Sequence, residues 1–353
     1  MAGRELSELP ALRMPAEWER HEATWLAWPH ERTDWPGKFS PIPWIYGDIV
    51  RHLSRVEKVR ILVRDEKLQR EAMRCCDKSG ATMENVEFFQ TPTDRSWTRD
   101  FCPTFVKSAD GAVQIVDWRF NGWAKYDNWQ ADDGAPAFIS RAIRKKRWQP
   151  KHRRKRVVLE GGSIDVNGKG LLLTTEECLL SEIQQRNPGM AREDYETVFQ
   201  QWMGIDKVIW LKDGIVGDDT HGHVDDLARF VDENTVVVAS ESNRNDPNHS
   251  ILAANVKLLR NATNSDGEPL HVATLPMPEP VEFDGQRLPA SYANFYIANG
   301  IVLVPVFNDA NDRVALNTLS RLMPKHQIIP IYCRDLVLGL GTLHCMTQQQ
   351  PAE

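Results

Sequence analysis

The 353-residue chain lacks three features that would place it in well-known classes. Its six cysteines are too few for a disulfide scaffold at this length, and none stands in a CxxC pair, so a zinc ribbon is not expected. It has no run of 18 apolar residues, so no membrane-spanning helix is expected. Residues 1–10 contain no apolar stretch of the secretory type. We therefore expect a cytoplasmic protein with no membrane partner.

An excess of positive charge is also missing, because the net charge is −6 and the isoelectric point is about 6.0. Nucleic-acid-binding domains are usually basic, so nucleic acid is not the expected partner. The exception is the segment 141–156, RAIRKKRWQPKHRRKR, in which ten of sixteen residues are Lys or Arg. Such a run is a nucleic-acid patch in some proteins. More often it is a solvated helix end and linker, and the interruption at Trp148 and Pro150 favours that interpretation.

Tryptophan, by contrast, is abundant, with twelve residues in the chain. Six of them crowd the N-terminal third: Trp18, Trp25, Trp28, Trp35, Trp44 and Trp97. Their large apolar area favours packing in the core and in interfaces. The alternative is that one or two of them wall a site for a cation.

Short apolar runs alternate with amphipathic stretches along the whole chain, which predicts a mixed α/β fold in a single domain covering residues 1–353. A unit made of a strand pair and a helix, recurring about five times, fits this alternation. The predicted helices are 66–77, 193–202, 250–261 and 309–322. The predicted strands are 59–63, 86–89, 101–106, 113–118, 157–159, 164–166, 171–174, 208–211, 227–231, 235–239, 292–298, 301–305, 327–332 and 343–347.

Five short segments each place a reactive or charged side chain at the edge of an apolar strand, next to a glycine or a turn. They are WTRD (97–100), FNGW (120–123), EGG (160–162), DDTHGHVDD (218–226) and GLGTLHC (339–345). In the last segment, glycines before Cys345 allow the backbone to approach a ligand closely. A catalytic cysteine needs a lowered pKa or a neighbouring base. Taken alone, however, the segment is equally consistent with a buried cysteine that packs as a small apolar side chain and has no catalytic role.

The histidine segment supports two functional hypotheses. On a strand, His221, His223 and Asp225 would share one face. They could form a metal site, or His223 could act as an acid–base group beside a substrate-binding Asp225. A solvated strand end is the third interpretation. Asp226 stands where the binuclear zinc hydrolases need a further histidine, which weighs against metal.

Three carboxylates complete the candidate set: Asp100, Glu160 and Asp225. Carboxylates bind a planar guanidinium bidentately and hold it in its charged form. A cysteine, a histidine and several carboxylates therefore fit a guanidine site.

Seven segments, in order along the chain, resemble those of agmatine deiminases and bacterial peptidylarginine deiminases. The first is MPAEWERHEATWLAWP at residues 14–29, and the last is HCMTQQQP at residues 344–351. Between them lie residues 97–100, 120–123, 159–163, 173–179 and 222–225. Any one of them is weak evidence, but seven in register identify the family.

This resemblance implies the pentein α/β propeller, with five pseudo-symmetric ββαβ-like units. It also implies a hydrolase of linear amidines in putrescine and polyamine metabolism, which needs no metal or organic cofactor. Agmatine would become N-carbamoylputrescine and ammonia through a covalent amidino intermediate on Cys345. The implied roles are nucleophile for Cys345, general acid–base for His223, guanidinium-binding carboxylates for Asp100 and Asp225, histidine-binding carboxylate for Glu160, and channel wall for Trp97.

Two departures from the family pattern lie near the expected substrate tail. Residues 339–341 read Gly-Leu-Gly where many agmatine deiminases have a glycine triplet, and residues 218–221 also vary. Asp219 is the candidate for binding an amine tail. Free or peptidyl arginine is the alternative substrate. A zinc hydrolase using His221, His223 and Asp225 and a non-catalytic binding protein are the other rivals, and a homo-oligomer is left open.

Overall fold

The computed structural model describes residues 11–353. Residues 1–10, for which the sequence predicts no secretory signal, lie outside the described residues. Among residues 11–353, every helix is too short or too polar to cross a lipid bilayer.

The described residues form α-helices and short β-strands in alternation. The helices are α1 (Ile42–Leu53), α2 (Glu66–Lys78), α3 (Thr98–Phe101), α4 (Gln130–Ala142), α5 (Glu176–Leu180), α6 (Arg192–Met203), α7 (Asn248–Arg260) and α8 (Asp312–Leu322). The strands are β1 (Leu12–Arg13), β2 (His21–Ala27), β3 (Lys58–Val63), β4 (Val86–Gln90), β5 (Thr104–Ser108), β6 (Val113–Val116), β7 (Arg147–Trp148), β8 (Lys151–His152), β9 (Lys155–Arg156), β10 (Asp165–Val166), β11 (Leu171–Thr175), β12 (Lys207–Leu211), β13 (Ala228–Phe230), β14 (Thr235–Ser240), β15 (His271–Pro276), β16 (Glu282–Phe283), β17 (Gln286–Arg287), β18 (Tyr296–Ala298), β19 (Ile301–Val306), β20 (Gln327–Tyr332) and β21 (Gln348–Pro351).

Five sheets repeat one connection pattern, in which an antiparallel strand pair is followed by at least one helix and then by a strand parallel to the second strand of the pair. The units are β5–β6 with β7, β10–β11 with β12, β13–β14 with β15, β18–β19 with β20, and β21–β2 with β3. The last unit joins the two ends of the chain, because β21 pairs with β2. The predicted α/β fold with a unit recurring five times is therefore confirmed.

Local sequence explains where the elements begin and end. Asp65 caps α2, since its carboxylate accepts a hydrogen bond from the backbone N–H of Leu68 at 2.8 Å. Gly204 ends α6 with a φ of +67°, a left-handed conformation that glycine adopts without steric penalty. Strands β14 and β19 are buried along almost their whole length, which matches their nearly continuous apolar sequences.

Two predicted strands near the site are wrong. In both segments, side chains form hydrogen bonds with backbone groups that would otherwise pair with a neighbouring strand. Residues 343–347 form a turn, in which the Thr347 hydroxyl donates to the carbonyl of Leu343 at 2.8 Å. Residues 157–159 make a single bridge from Val158 to Arg119. The Asn187 side chain bonds both the N–H and the carbonyl of Val158, each at 2.8 Å.

Three other expectations need correction. Phe101 belongs to α3 and not to the start of the strand predicted at 101–106. The predicted strand face of His221, His223 and Asp225 is a loop and a 3-10 turn. The basic run 141–156 is not a helix end and linker alone, because it also forms β7 and the β8–β9 hairpin.

Candidate functional site

Each repeated unit has a short segment just before its first strand, which is helix α3 in the unit of β5 and a loop or turn in the other four. These five segments, the openings of the units, carry the polar side chains of the site. Asp100 precedes β5, Glu160 precedes β10, His223 and Asp225 precede β13, Asn294 precedes β18, and Cys345 precedes β21. The repeated fold therefore gathers residues that are far apart in the sequence. All five candidate catalytic residues predicted from the sequence lie in these openings.

Cys345 lies in the turn before β21 with 5% of its surface exposed. Its Sγ is 3.0 Å from Nδ2 of Asn294 and 3.6 Å from Oδ2 of Asp225. Burial raises the pKa of the thiol well above its usual range, and the charges of Asp225, Asp226 and Asp100 raise it further. These causes favour the neutral thiol, and a cation bound beside the carboxylates would lower its pKa.

Asn294 holds the cysteine turn in place. Its Oδ1 accepts hydrogen bonds from the hydroxyl of Thr342 at 2.8 Å and from the backbone N–H of His344 at 2.9 Å. Its Nδ2 donates to Asp226 at 2.9 Å as well as to the sulfur of Cys345. The side chain is fully buried, so these contacts fix the position of the thiol.

His223 is fully buried among three carboxylates. Its Nδ1 is 3.8 Å from Oδ1 of Asp100 and 4.0 Å from Oδ1 of Asp225, and its Nε2 is 3.9 Å from Oε2 of Glu160. Within residues 11–353, neither ring nitrogen has a hydrogen-bond partner, nor do Oε2 of Glu160 and Oδ1 of Asp225. Buried polar atoms are rarely left unpaired, so these four atoms point to a polar ligand that enters the site.

The charges in this cluster are strongly coupled. Burial alone would lower the pKa of His223, but Asp100, Cys178 and Glu160 outweigh it and raise the pKa well above the usual value. Burial raises the pKa of Asp100 to about 6 against the opposing charge of His223. Burial would also raise the pKa of Glu160, but Arg186 and His223 lower it to about 2. The neighbouring carboxylates therefore favour the charged form of His223.

The structure does not bring His221, His223 and Asp225 together as the ligands of a zinc ion. His221 has a φ of +65°, and its ring faces Ser181 at 3.1 Å and Glu177 at 3.5 Å. For residues 11–353, the groups that could hold a metal ion are Glu160 with Cys178 and His223, and Asp225 with Asp226 and Cys345. The ligand set that included His221 is therefore wrong.

A second network of buried charged side chains, centred on Glu17, contacts Asp225 of the site. Oε2 of Glu17 is 2.8 Å from Nε2 of His344, whose Nδ1 is 2.7 Å from Asp225. Arg229 lies 3.0 Å and Arg99 3.3 Å from the same glutamate. Burial would raise the pKa of Glu17, but Arg229, His344 and Arg99 hold it well below its usual range.

Replacing Glu17 with glutamine is expected to lower the free energy of unfolding by about 3 kcal/mol, because it leaves the buried Arg99 without a carboxylate partner. Arg229 keeps Asp165 and His344 keeps Asp225. Urea denaturation would measure the change. The matched control is Glu19→Gln, which removes a half-exposed carboxylate paired with Arg13 and should cost less than about 1 kcal/mol. Equal losses for the two variants would contradict the assigned network.

A cavity of about 420 Å³ leads from the exposed residues Pro36 and Gln286 down to Asp100 and Cys345. Trp97, predicted as a channel wall, lines it and is 4% exposed. Its Nε1 donates to Asp34 at 3.1 Å. Trp25, Trp28 and Trp97 all belong to the hydrophobic core, as the core interpretation expects. Trp97 also lines the cavity, and its role as a wall for a cation stays a prediction.

Gly339 and Gly341 line the cavity where the neighbouring side chains leave little room for a Cβ. A Cβ added at Gly339 would lie 2.7 Å from Trp35 and 2.8 Å from Trp97, and one at Gly341 would lie 3.0 Å from the Cβ of Cys345. The predicted close approach at these glycines is thus to cavity-lining and core side chains. Leu340, between them, has a φ of +67°, which is uncommon for a leucine.

Acidic groups surround the outer part of the cavity. Asp219, predicted to bind a substrate tail, lines it and pairs with Lys125. Tyr126 donates to the other oxygen of Asp219 at 2.6 Å. Asp34 and Asp284 also line the cavity, and burial raises the pKa of Asp34 to about 6 despite its ion pair with Arg95. Asp219 is therefore one of three carboxylates that line the outer part of the cavity, together with Asp34 and Asp284.

The sequence analysis missed several residues of the site. Asn294 falls inside a predicted strand, and Asp34 and Glu17 carried no local signal of a role. Trp123 stood in a noted segment without a role, and its Nε1 donates to Asp100 at 2.9 Å. The position before the first strand of each repeat is the signal that could have found Asn294.

Comparison with known proteins places this arrangement in a family. Residues 13–351 match the Porphyromonas-type peptidyl-arginine deiminases. The agmatine deiminase of Ectopseudomonas mendocina is 34% identical over 362 aligned positions, which cover 96% of this chain and 95% of that protein.

Two solved structures are similar over nearly the whole chain. That of the Enterococcus faecalis agmatine deiminase has a TM-score of 0.88 at 30% identity, covering 97% of this chain and 96% of that one. A cysteine-to-serine variant of the C. Jejuni agmatine deiminase with substrate bound has a TM-score of 0.85 at 29% identity, covering 96% of each. The fold is of the pentein type. Within it, this chain belongs to the Porphyromonas-type peptidyl-arginine deiminase family.

Proposed function

We propose that the chain is an agmatine deiminase, which hydrolyses agmatine to N-carbamoylputrescine and ammonia with Cys345 as the nucleophile. The observation that carries this proposal is the set of four unpartnered buried atoms on His223, Glu160 and Asp225 beside the thiol. Carboxylates on several sides suit a guanidinium cation. The substrate-bound C. Jejuni structure, a cysteine-to-serine variant, supports a nucleophilic cysteine.

In the first half-reaction the guanidinium binds between Asp100 and Asp225, with its carbon in line with the sulfur of Cys345. Its positive charge offsets the carboxylates that raise the thiol pKa, so the thiol loses its proton. The thiolate attacks the guanidinium carbon and forms a C–S bond. The imidazolium of His223 then donates a proton to one amino group, the C–N bond breaks, and ammonia leaves an S-alkylthiouronium on the enzyme.

In the second half-reaction His223 is neutral and takes a proton from a water molecule. The water oxygen attacks the same carbon, and the C–S bond breaks to release the thiolate. The hydroxyl proton of the protonated product then passes to the thiolate, directly or through solvent, which gives the ureido product and restores the Cys345 thiol. Glu160, fixed by Arg186 Nε at 3.1 Å, keeps the histidine oriented and stabilises its charged form in both halves.

The acidic mouth of the cavity favours an amine tail over a carboxylate. Asp34, Asp219 and Asp284 lie along the path to the surface, where the primary amine of agmatine would reach. Arg95, the cation that lines the cavity, is already paired with Asp34 and donates to Asn128 at 3.2 Å. Because Asp34 pairs with Arg95 and Asp219 pairs with Lys125, the three carboxylates exceed these two cations by one negative charge. The α-carboxylate of free arginine would face this excess, whereas an amine tail would be attracted by it.

The direct test is ammonia release from agmatine, run beside free arginine and an arginine-containing peptide. Release from agmatine alone, with a kcat/KM at least about 100-fold above the other two, is the expected result. Faster release from free arginine or from the peptide would support the proposed catalytic residues but show that agmatine is not the preferred substrate. No release from any of the three would refute the proposed activity.

Replacing Gly162 with alanine is expected to lower kcat/KM for agmatine by about 100-fold or more. The added Cβ would lie 2.5 Å from Nδ1 of His223, 2.8 Å from Asp100 and 3.0 Å from Asp225, so the imidazole and its carboxylates must shift. The matched control is Gly134→Ala in α4, where a Cβ has nothing within 4 Å. Activity of Gly162→Ala within a few-fold of the wild type would show that these groups need not hold their positions.

A further inference from the structure

The basic run that the proposed function leaves unexplained forms one side of a second cavity. The cavity measures about 570 Å³ and lies between the β8–β9 hairpin and residues 186–190. Its size falls in the range of small-molecule and cofactor sites. Its basic lining residues are Arg119, His152, Arg153, Arg154, Lys155, Arg156 and Arg186.

Two of these cations are already neutralised. Arg156 pairs with Asp117 at 2.8 Å and Asp133 at 3.1 Å, and Arg186 pairs with Glu160. In the part of the chain that the structure describes, Arg119, Arg153, Arg154 and Lys155 have no carboxylate within ion-pairing distance. Four uncompensated cations therefore border one cavity, in a protein whose net charge is −6.

The hairpin turn itself is unfavourable for its two central residues. Arg153 has a φ of +44° and Arg154 a φ of +71°, the left-handed conformations that a two-residue type I′ turn requires. Asn-Gly is the preferred pair at these positions, whereas long side chains are disfavoured. The turn conformation therefore does not explain why arginine stands at both positions. Both arginines line the cavity.

The cavity also has an apolar side, made by Pro188, which is exposed, and Met190, which is half-buried. Val157 and Val158 line the cavity as well, but they are 1% and 6% exposed and offer little surface to a ligand. A ligand with an anionic end and a flat apolar end would satisfy both sides. An inorganic anion would leave the apolar side unused.

We infer that this cavity binds a nucleoside phosphate, with the phosphates on Arg153, Arg154 and Lys155 and the base against Pro188 and Met190. Guanidinium groups match phosphate oxygens with paired hydrogen bonds. The bounded cavity and the acidic remainder of the chain favour a small ligand over a nucleic-acid strand.

Direct calorimetric titration of the full chain with ADP, beside pyrophosphate at equal ionic strength, tests this inference without any turnover. The decisive variant is Arg153→Asn/Arg154→Gly, which removes two cations and installs the pair that the turn prefers, so it should fold at least as well as the wild type. The control is Arg141→Ala/Lys151→Ala, which removes two exposed cations of the same run that do not line the cavity.

The expected result is saturable binding of one ADP, tighter than pyrophosphate, weakened by about tenfold or more in Arg153→Asn/Arg154→Gly and unchanged in the control. Equal weakening in both variants would reduce the effect to diffuse charge and overturn the site. Equal affinity for pyrophosphate and ADP would show that the base adds nothing to binding, and would overturn its placement on the apolar side of the cavity. Absence of saturable binding would overturn the inference altogether, whatever the activity toward agmatine.

Discussion

Replacing Cys345 with serine is expected to lower kcat for ammonia release from agmatine by at least about 10⁴-fold, because it removes the atom that forms the covalent intermediate. A hydroxyl in the same carboxylate-rich place would lose its proton far less readily than a thiol. Steady-state ammonia assays would measure the loss.

The matched control is Cys75→Ser in α2. Cys75 donates from its thiol to the carbonyl of Pro43 at 3.1 Å, a contact that a serine hydroxyl can keep. This variant should retain activity within a few-fold of the wild type and should lose it on thiol alkylation. Substantial turnover by Cys345→Ser would refute the nucleophile.

Replacing His223 with asparagine is expected to lower kcat by about 10²–10⁴-fold, because it removes the imidazolium that protonates the leaving ammonia in the proposed mechanism. In the wild type, the raised pKa of His223 keeps the imidazolium present through neutral pH. We therefore expect kcat to fall as the pH rises through that pKa, because the acid form is lost.

His221→Asn provides the matched control, because His221 lies two residues away and its ring faces Ser181 and Glu177 instead of the thiol. Its kcat should stay within a few-fold of the wild type. If both histidine variants lost activity alike, and chelators abolished the wild-type activity, a metal site would replace the acid–base role.

The sequence predicted most of the fold because its signals are local. Turn residues at 167–168 and 299–300 lie between strands that do pair, β10 with β11 and β18 with β19. The candidate nucleophile, histidine and carboxylates were also predicted, since each stands in a short segment of recognisable character. Their roles stay predictions until the variants are measured.

What the sequence did not predict depends on contacts between distant segments. The turn at Cys345 was predicted as a strand, because nothing in residues 343–347 shows that the distant Asn294 accepts a hydrogen bond from the backbone N–H of His344. The ion pair of Asp219 with Lys125 likewise joins segments that are far apart in the chain. Such contacts become visible only once the five repeats bring their openings together.

The most direct test of the central claim is the mass of the enzyme during turnover. Wild-type protein mixed with agmatine and quenched in acid at short times should gain the mass of agmatine less ammonia, on the peptide that contains Cys345. The Cys345→Ser variant should show no such gain. Ammonia release from the wild type without any adduct at the earliest quench times, or an adduct on another residue, would contradict the account.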